Sequence, residues 1–228
     1  MRIVVLTGAG VSAESGLRTF RDAGGLWEGH DVRDVATPEA FARDPDLVHR
    51  FYDARRRQLR EVEPNAAHRA LARLEHESGH DVTLVTQNVD DLHERAGSRN
   101  VLHMHGELLK ARCLACGERA EWREDLLPRP ACPRCGAAAL RPDVVWFGEV
   151  PYYLDAIAEA LWECDVFVAV GTSGVVYPAA GFVRTAAMAG ARTIEMNLEE
   201  SEVASAFEEV RLGAATVTVP AWVEELMG

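Results

Sequence analysis

Lysine is almost missing from this 228-residue chain, since Lys110 is the only one and every other long basic side chain is an arginine. Acidic residues outnumber lysine and arginine by 36 to 24, which gives a formal net charge of -12. Nucleic acids and anionic membrane surfaces are bound through clustered positive charge. We therefore expect neither nucleic acid nor a membrane as a partner.

Long hydrophobic runs and a leader-type start are missing as well. No apolar run approaches the roughly 18 residues that a membrane-spanning helix requires. The chain opens on the strand-like stretch "RIVVL", without the basic segment that begins a secretory signal. We expect a cytoplasmic monomer, and the length suits one domain with a modest insertion.

Cysteine is scarce, and four of the five cysteines form two tight pairs. Cys113 and Cys116 are separated by two residues, as are Cys132 and Cys135, and fifteen residues lie between the pairs. This spacing is typical of a closed tetrahedral zinc site, which stabilises a small module and leaves no position open for catalysis. We predict one structural zinc per chain. Cys164 precedes an apolar strand and is interpreted as a core residue.

Apolar segments that end in small or polar residues alternate with helical segments along the chain. We predict strands at "RIVVL", "HDVTLVTQN", "CDVFVAVGTS", "ARTIEMN" and "ATVTVP", and helices at "NAAHRALARLEHE", "YYLDAIAEALWE" and "PAAGFVRTAAMAG". The alternation predicts an α/β fold, with a Rossmann-like parallel sheet covered by helices on both faces. Because ligands bind at the carboxyl ends of such strands, "TGAG", "TQNVD", "GTS" and "MN" should converge on one crevice.

Two segments interrupt this alternation. Residues 29–63 form an arginine-rich helical region, and residues 111–140 contain the paired cysteines. We interpret the first as a helical insertion and the second as a zinc module, which together form a smaller lobe. The sheet domain is then discontinuous and comprises residues 1–28, 64–110 and 141–228.

The stretch "TGAGVSAESG" contains a G-x-G-x-x-A pattern directly after the first predicted strand, formed by Gly8, Gly10 and Ala13. Glycines at these positions let backbone amides approach a pyrophosphate, whose charge is favoured at a helix N-terminus. A plain strand-to-helix turn would fit the same pattern, so alone it leaves dinucleotide binding open. The acidic residue expected about 20 residues later is absent, which argues against an ordinary nicotinamide dehydrogenase.

A polar cluster follows the second strand, in "TQNVDDLHERAG" and then "VLHMHGEL". Gln87, Asn88 and Asp90 come where this strand ends, and His103 and His105 are two residues apart. In an extended chain both imidazoles would lie on one face. Either could act as a general base near neutral pH, although hydrogen-bonded structural histidines are the commoner finding beside a turn. Sequence periodicity does not choose between the two.

Taken together, these motifs resemble those of the sirtuins, the NAD-dependent protein-lysine deacylases. The matching stretches, in order, are "GAGVSAESGLRTFR", "GLW", "TQNVDDLHERAG", "HMHGEL", the paired cysteines, "VVWFGE", "GTSGVVYPAAGF" and "MNLEES". The resemblance covers nearly the whole chain. It implies that NAD is consumed, that acyl-lysine side chains of proteins are the substrates, and that nicotinamide, 2′-O-acyl-ADP-ribose and free lysine are the products.

The resemblance also implies roles for individual residues. His105, directly before Gly106, matches the catalytic base, which leaves His103 a structural role. The "VVWFGE" segment, with Val145, Trp146, Phe147 and Gly148, matches the strand and loop along which a substrate peptide lies. The residues that match the NAD site are Gly8, Ala9, Ser12, Glu14, Thr19, Phe20, Arg21, Trp27, Gln87, Asn88, Asp90, Gly171, Thr172, Ser173, Asn197 and Ala215.

Three consecutive arginines occur in the stretch "FYDARRRQL". Tyr52 and Arg55 match the Y-x-x-R pair of sirtuins that prefer acidic acyl groups, and residues three apart share one face of a helix. The resemblance implies that this pair holds the carboxylate of a succinyl or malonyl group. We expect Arg56 and Arg57 to face solvent or acidic neighbours and to do nothing specific.

Two other functions remain open from the sequence. A protein mono-ADP-ribosyltransferase or an NAD glycohydrolase on the same scaffold would consume NAD without an acyl-lysine. A non-catalytic NAD sensor would also keep the cofactor motifs. Asn88, Asp90 and His105 argue against the sensor, because a pure binder has no need of a base.

Overall fold

The structure is a computed structural model that describes residues 1–17, 26–27 and 29–228. Its strands are β1 (Arg2–Thr7), β2 (Leu26–Trp27), β3 (His30–Asp31), β4 (Asp81–Thr86), β5 (Val101–His103), β6 (Gly106–Cys113), β7 (Arg119–Glu121), β8 (Leu140–Val144), β9 (Val166–Val170), β10 (Arg192–Asn197) and β11 (Glu209–Leu212). Its α-helices are α1 (Gly10–Ala13), α2 (Val32–Val35), α3 (Pro38–Arg43), α4 (Pro45–Leu59), α5 (Ala66–Glu77), α6 (Leu92–Ala96), α7 (Leu154–Glu163), α8 (Phe182–Met188) and α9 (Ala215–Met227). Two 3₁₀ turns span Ala179–Gly181 and Ala204–Ala206. Within the described residues, no helix is both long and apolar enough to cross a membrane.

The main sheet has six strands in the order β11-β10-β9-β1-β4-β5, and every neighbouring pair is parallel. This arrangement confirms the predicted α/β fold. From β1 the chain adds β4 on one side, whereas β9 pairs with the other side of β1. The strand order therefore reverses between β1 and β9, and ligands of open α/β sheets bind at such a reversal.

Helices bury both faces of this sheet. On one face, Leu71 of α5 and Trp222 of α9 belong to the core that packs on β1, β4, β9 and β10. On the other face, Ile157 of α7 and Phe182 of α8 lie in a second core. All five residues of β9 are buried, as expected for a central parallel strand covered on both sides.

Helix α5 begins where its sequence predicts. The Oδ1 atom of Asn65 accepts hydrogen bonds from the backbone N–H groups of Ala67 and His68, and the Asn65 N–H donates to Nδ1 of His68. This capping box satisfies backbone donors that a helix start leaves unpaired. The Asn65 amide also donates to the carbonyl oxygen of Val11 at 2.8 Å, which joins α5 to α1.

The prediction of a strand at "ATVTVP" is wrong, because these residues open helix α9. The β-branched residues favour a strand, but the buried side chains are Ala215, Val219, Trp222 and Val223, which have helical spacing. The last strand of the sheet is instead β11, formed by the charged sequence "EVRL".

A smaller antiparallel sheet, in the order β7-β6-β8, packs against helices α2 to α4. Val48 and Leu59 of α4 share a buried cluster with Leu108 of β6 and with Trp146. The cysteine region contributes a separate small core that includes Leu126 and Leu140. The domain limits drawn from the sequence remain a prediction.

Arg56 is fully buried, so the expectation that it does nothing specific is wrong. Its NH1 atom lies 2.5 Å from Oδ1 of Asp53, and its Nε donates to the carbonyl oxygen of Leu108 at 2.9 Å. Asp53 also accepts from the backbone N–H of Leu126 at 2.8 Å. Successive helical residues point about 100° apart, and Arg56 is the one of the three that the structure buries completely. Arg57 is exposed and pairs with Asp125, as expected.

We expect Arg56→Met to lower the free energy of unfolding by about 3 kcal/mol, because removing one partner leaves the Asp53 carboxylate buried without its counter-charge. The matched control is Arg57→Met on the next residue, which should cost less than about 1 kcal/mol. Urea unfolding followed by circular dichroism measures both. Equal losses would contradict a structural role for the buried pair.

Candidate active site and zinc module

The turn after β1 contacts the end of β9 closely, backbone to backbone. The N–H of Gly10 donates to the carbonyl oxygen of Gly171 at 3.0 Å. A Cβ atom on Gly8 would lie 2.7 Å from that oxygen, and one on Gly10 would lie 2.7 Å from the Gly171 Cα. Real side chains do not tolerate such contacts, so the two glycines are required by packing at the point where the strand order reverses. Their predicted approach to a pyrophosphate remains a prediction.

Ser12, Asn88 and Asp90 form a hydrogen-bonded cluster beside this turn. The Asn88 amide donates to the carbonyl oxygen of Gly8 at 3.1 Å and to the Ser12 hydroxyl at 3.2 Å. The Ser12 hydroxyl donates to Oδ2 of Asp90 at 3.1 Å. Residues that follow β1 and β4 therefore meet at one edge of the sheet, as the sequence predicts.

The carboxyl group of Asp90 is buried. Burial raises the pKa of Asp90 to about 6, although hydrogen bonds from the Leu92 N–H and the Ser12 hydroxyl lower it in part. Strongly shifted carboxyl pKa values at the edge of a crevice are typical of functional sites.

His103 and His105 differ in how their ring nitrogens are engaged. Both nitrogens of His103 have partners, with Nδ1 3.2 Å from the carbonyl oxygen of Asn88 and Nε2 2.6 Å from Oε1 of Glu94. Burial alone would lower the pKa of His103, but the bond and charge of Glu94 raise it above its ordinary value. The His103 ring thus has no nitrogen left for a substrate.

His105 uses one ring nitrogen only in its hydrogen bonds to the part of the chain that the structure describes. Its Nδ1 lies 3.0 Å from the carbonyl oxygen of Gln87, which accepts a hydrogen bond and so fixes the proton on Nδ1. Nε2 has no hydrogen-bond partner among the residues that the structure describes. Burial lowers the pKa of His105, against a smaller opposing effect of the Gln87 carbonyl. The ring is therefore a neutral imidazole with an available Nε2, as a general base requires.

Two further histidines, His68 and His93, contact hydroxyl groups in and beside this cluster. Neither of them was identified from the sequence as part of the site. Nε2 of His68 lies 3.3 Å from the Ser12 hydroxyl, and Nε2 of His93 lies 3.0 Å from that of Thr7. Their ring centres are 4.8 Å apart. Burial lowers the pKa of His68 to about 4 and that of His93 well below its ordinary value, so both are neutral. The "NAAH" capping box was the available signal for His68.

The ends of β9 and β10 lie on the other side of the turn after β1. The Asn197 amide donates to the carbonyl oxygen of Thr172 at 2.7 Å, and Ser173 follows, partly exposed. Glu14 accepts hydrogen bonds from the hydroxyl and the N–H of Thr216, at 2.8 and 3.1 Å. Glu14 thus caps helix α9 beside Ala215, a role that the sequence did not indicate.

Four residues predicted for the NAD site cannot be placed. Thr19, Phe20, Arg21 and the side chain of Trp27 lie outside the described residues.

Tyr52 and Arg55 share one side of α4, next to the segment that follows β8. Tyr52 is buried, and burial raises the pKa of its phenol above the ordinary value, so it stays protonated and able to donate a hydrogen bond. The indole Nε1–H of Trp146 donates to its oxygen at 2.9 Å. The Arg55 guanidinium lies 4.4 Å from the ring centre of Phe51.

The residues predicted to hold a peptide follow the edge strand of the small sheet. β8 ends at Val144, and the N–H of Val145 donates to the carbonyl oxygen of His105 at 2.8 Å. The Phe147 side chain is 47% exposed and Gly148 is also exposed, whereas Trp146 is only 2% exposed. Trp146 therefore faces inward, toward Tyr52, rather than outward with its neighbours.

The four paired cysteines converge on one point. Their sulfur atoms all lie within 4.8 Å of one another, with Cys113 and Cys135 3.7 Å apart and Cys116 and Cys132 3.8 Å apart. Sulfurs bound to zinc at about 2.3 Å in a tetrahedron would be about 3.8 Å apart. A disulfide needs about 2.05 Å. The geometry of the thiols fits one structural zinc, as predicted, and Cys164 lies elsewhere, in a hydrophobic core.

Purified protein should contain one zinc per chain, and Cys132→Ser should bind substantially less, because a tetrahedral site then lacks one thiolate. Elemental analysis after dialysis measures the stoichiometry. Cys164→Ser is the matched control and should retain the full amount. Loss of zinc in both variants, or in neither, would contradict the assignment.

The comparisons with known proteins identify the family. Residues 8–178 match the Sir2 family, and the chain belongs to it. A relative from Salmonella typhimurium named NAD-dependent protein deacylase is 58% identical over 99% of this chain and 84% of its own length. A relative of the same name from Pasteurella multocida is 56% identical over 100% of this chain and 98% of its own length.

Solved structures of the family superpose on this chain. A Sir2 homologue bound to NAD is 42% identical, with a TM-score of 0.91 over 98% of this chain and 88% of that one. A mutant Sir2 homologue bound to ADP-ribose is 41% identical, with a TM-score of 0.92 over 98% of this chain and 91% of that one. A family member bound to a myristoylated histone peptide is 36% identical, with a TM-score of 0.77 over 98% of this chain and 90% of that one.

Proposed function

We propose that this chain is an NAD-dependent protein-lysine deacylase that removes acetyl groups and also succinyl and malonyl groups. The observation that carries the proposal is His105, a neutral imidazole held through Nδ1 at the crevice where the strand order reverses. The relatives named NAD-dependent protein deacylase support it at 56% and 58% identity. Nothing in the comparisons favours an ADP-ribosyltransferase or an NAD glycohydrolase.

The side chains around the crevice suit NAD. Gln87, Ser173 and Asn197 are partly exposed at the strand ends, and their amide and hydroxyl groups suit the hydroxyls of the two riboses. When bound, NAD would supply an electrophilic ribose carbon as nicotinamide departs. Asp90, buried nearby, would favour the positive charge that develops there when its carboxyl group is ionised.

His105 would act as the general base. Its Nδ1 keeps its proton on the Gln87 carbonyl, so Nε2 is the atom that accepts the proton of the attacking ribose hydroxyl. Ser12 and Asn88 would hold Asp90 and the turn after β1 in place through the bonds described above. The acyl group would pass from the lysine nitrogen to the oxygen of that ribose hydroxyl, and one water would be consumed as free lysine is released.

The substrates would be acyl-lysine side chains of proteins. A peptide would lie along Val145–Gly148, beyond the edge strand β8, and add backbone hydrogen bonds there. Tyr52 and Arg55 would hold an acyl carboxylate between a phenol donor and a guanidinium fork. We also propose a cytoplasmic monomer that binds neither nucleic acid nor membrane, consistent with the net charge of -12.

Nicotinamide release should depend on an acylated peptide and disappear in His105→Ala. The acid limb of kcat/KM should lie below pH 6.5, because a lowered pKa keeps the base neutral to lower pH than an ordinary histidine. A pH series of initial rates measures the limb. A limb above pH 6.5 would point to His103, whose pKa is raised, and release without any peptide would indicate a glycohydrolase.

Arg55→Met should reduce desuccinylation at least about tenfold and deacetylation much less, because only the succinyl carboxylate uses the guanidinium. The measurement is kcat/KM on one peptide sequence carrying acetyl-lysine or succinyl-lysine. The matched control is Arg57→Met, because Arg57 lies two positions further along and pairs with Asp125. It should leave the ratio of desuccinylation to deacetylation unchanged. Equal losses on both substrates would refute the role of Arg55.

A further inference from the structure

Arg141 of β8 is a buried cation whose side chain bonds to the chain segment that follows its own strand. Its side chain is 3% exposed. NH1 and NH2 donate to the two carboxylate oxygens of Glu149 at 2.8 and 3.0 Å, and NH2 also donates to the carbonyl oxygen of Val144 at 2.6 Å. A paired contact of this kind needs the flat fork of an arginine. The guanidinium therefore fixes the path of the chain between residues 142 and 149.

The same guanidinium covers the indole of Trp146. Its central carbon lies 3.2 Å from the ring centre of Trp146. Oε2 of Glu149 accepts a hydrogen bond from the Trp146 N–H at 2.8 Å, so the backbone of this residue is held as well. Arg141, Glu149 and Trp146 thus form one unit, called here the Arg141 clamp, in which the indole has a single supported orientation.

The clamp continues to the predicted acyl selector. Indole Nε1 can only donate, so the oxygen of Tyr52 is the acceptor in its 2.9 Å contact with Trp146. Because one lone pair of this oxygen is used, the phenol hydrogen must point in another direction. The direction in which Tyr52 donates therefore depends on where the indole is held.

We propose that Arg141 is a positioning residue for acyl selection: it holds the Trp146 indole, whose N–H orients the Tyr52 hydroxyl toward an acyl carboxylate. This inference rests on the proposed function and extends it to a residue outside the predicted substrate site. Arg141 acts through Trp146 and Tyr52, and it should affect substrates that carry a carboxylate more than those that do not.

The test is Arg141→Lys, which keeps the positive charge but loses the fork and the flat stacking surface. We expect the succinyl-to-acetyl ratio of kcat/KM to fall about tenfold, mainly through the KM of the succinyl peptide, because any loosening of the peptide-binding segment Val145–Gly148 lowers kcat/KM for both peptides alike. The matched control is Arg119→Lys, whose guanidinium stacks on Tyr152 at 4.0 Å in the same small sheet. This control should leave the succinyl-to-acetyl ratio unchanged.

A double-mutant cycle separates positioning from general support. In a Tyr52→Phe background the phenol oxygen is gone, so Arg141→Lys should cause no further change in the ratio. A further change there, or an equal fall for both peptides in the wild-type background, would overturn the proposal. If circular dichroism finds Arg141→Lys unfolded, Glu149→Gln tests the same clamp: a fall in the succinyl-to-acetyl ratio supports the proposal, and an unchanged ratio overturns it.

The wild-type rates distinguish the deacylase function from the positioning role. No nicotinamide release with any acyl peptide would overturn the proposed deacylase function itself. Release with the acetyl peptide but not with the succinyl peptide would leave deacylation standing and overturn the positioning role of Arg141 together with the selector role of Tyr52 and Arg55.

Discussion

The backbone contact between the turn after β1 and the end of β9 is the constraint on which the crevice depends. Gly10 and Gly171 approach so closely that a Cβ atom on either would overlap the other chain segment. This contact holds the turn after β1 against the end of β9 at the reversal of strand order. Ser12 and Asn88 then meet across the turn, because the Asn88 amide donates to the Gly8 carbonyl that the turn presents.

Burial is the largest influence on the pKa values of the ionisable groups around this contact. It lowers the pKa values of His68, His93 and His105 and raises that of Asp90. His103 is the exception, because its Nε2 lies 2.6 Å from Oε1 of Glu94, and this direct contact with a negative charge raises its pKa despite burial. Two histidines separated by one residue therefore have opposite pKa shifts, which is consistent with the different roles proposed for them.

Local patterns explain how much could be predicted from the sequence. The strands β1, β4 and β9, the capping box of Asn65 and the cysteine spacing each depend on neighbouring residues, so the sequence alone indicates them. The burial of Arg56 is different, since it depends on Asp53 meeting the backbone of Leu126, 73 positions away. The first residues of helix α9 favour a strand because several of them are β-branched, and packing against α5 and the sheet decides the matter. The Arg141 clamp likewise joins residues whose contacts no periodicity indicates.

The scarcity of lysine has a consequence for how this protein withstands the modification that it is proposed to reverse. Acyl donors react with unprotonated amines, and Lys110 is the only side chain that could offer one. Partial burial alone would lower the pKa of Lys110, but Glu107, whose Oε1 lies 2.6 Å from its Nζ, raises it above the ordinary value. The amine is thus kept protonated and a poor nucleophile. Reactive acyl metabolites would therefore find few sites on the enzyme, and its own side chains would compete little with its substrates for the crevice.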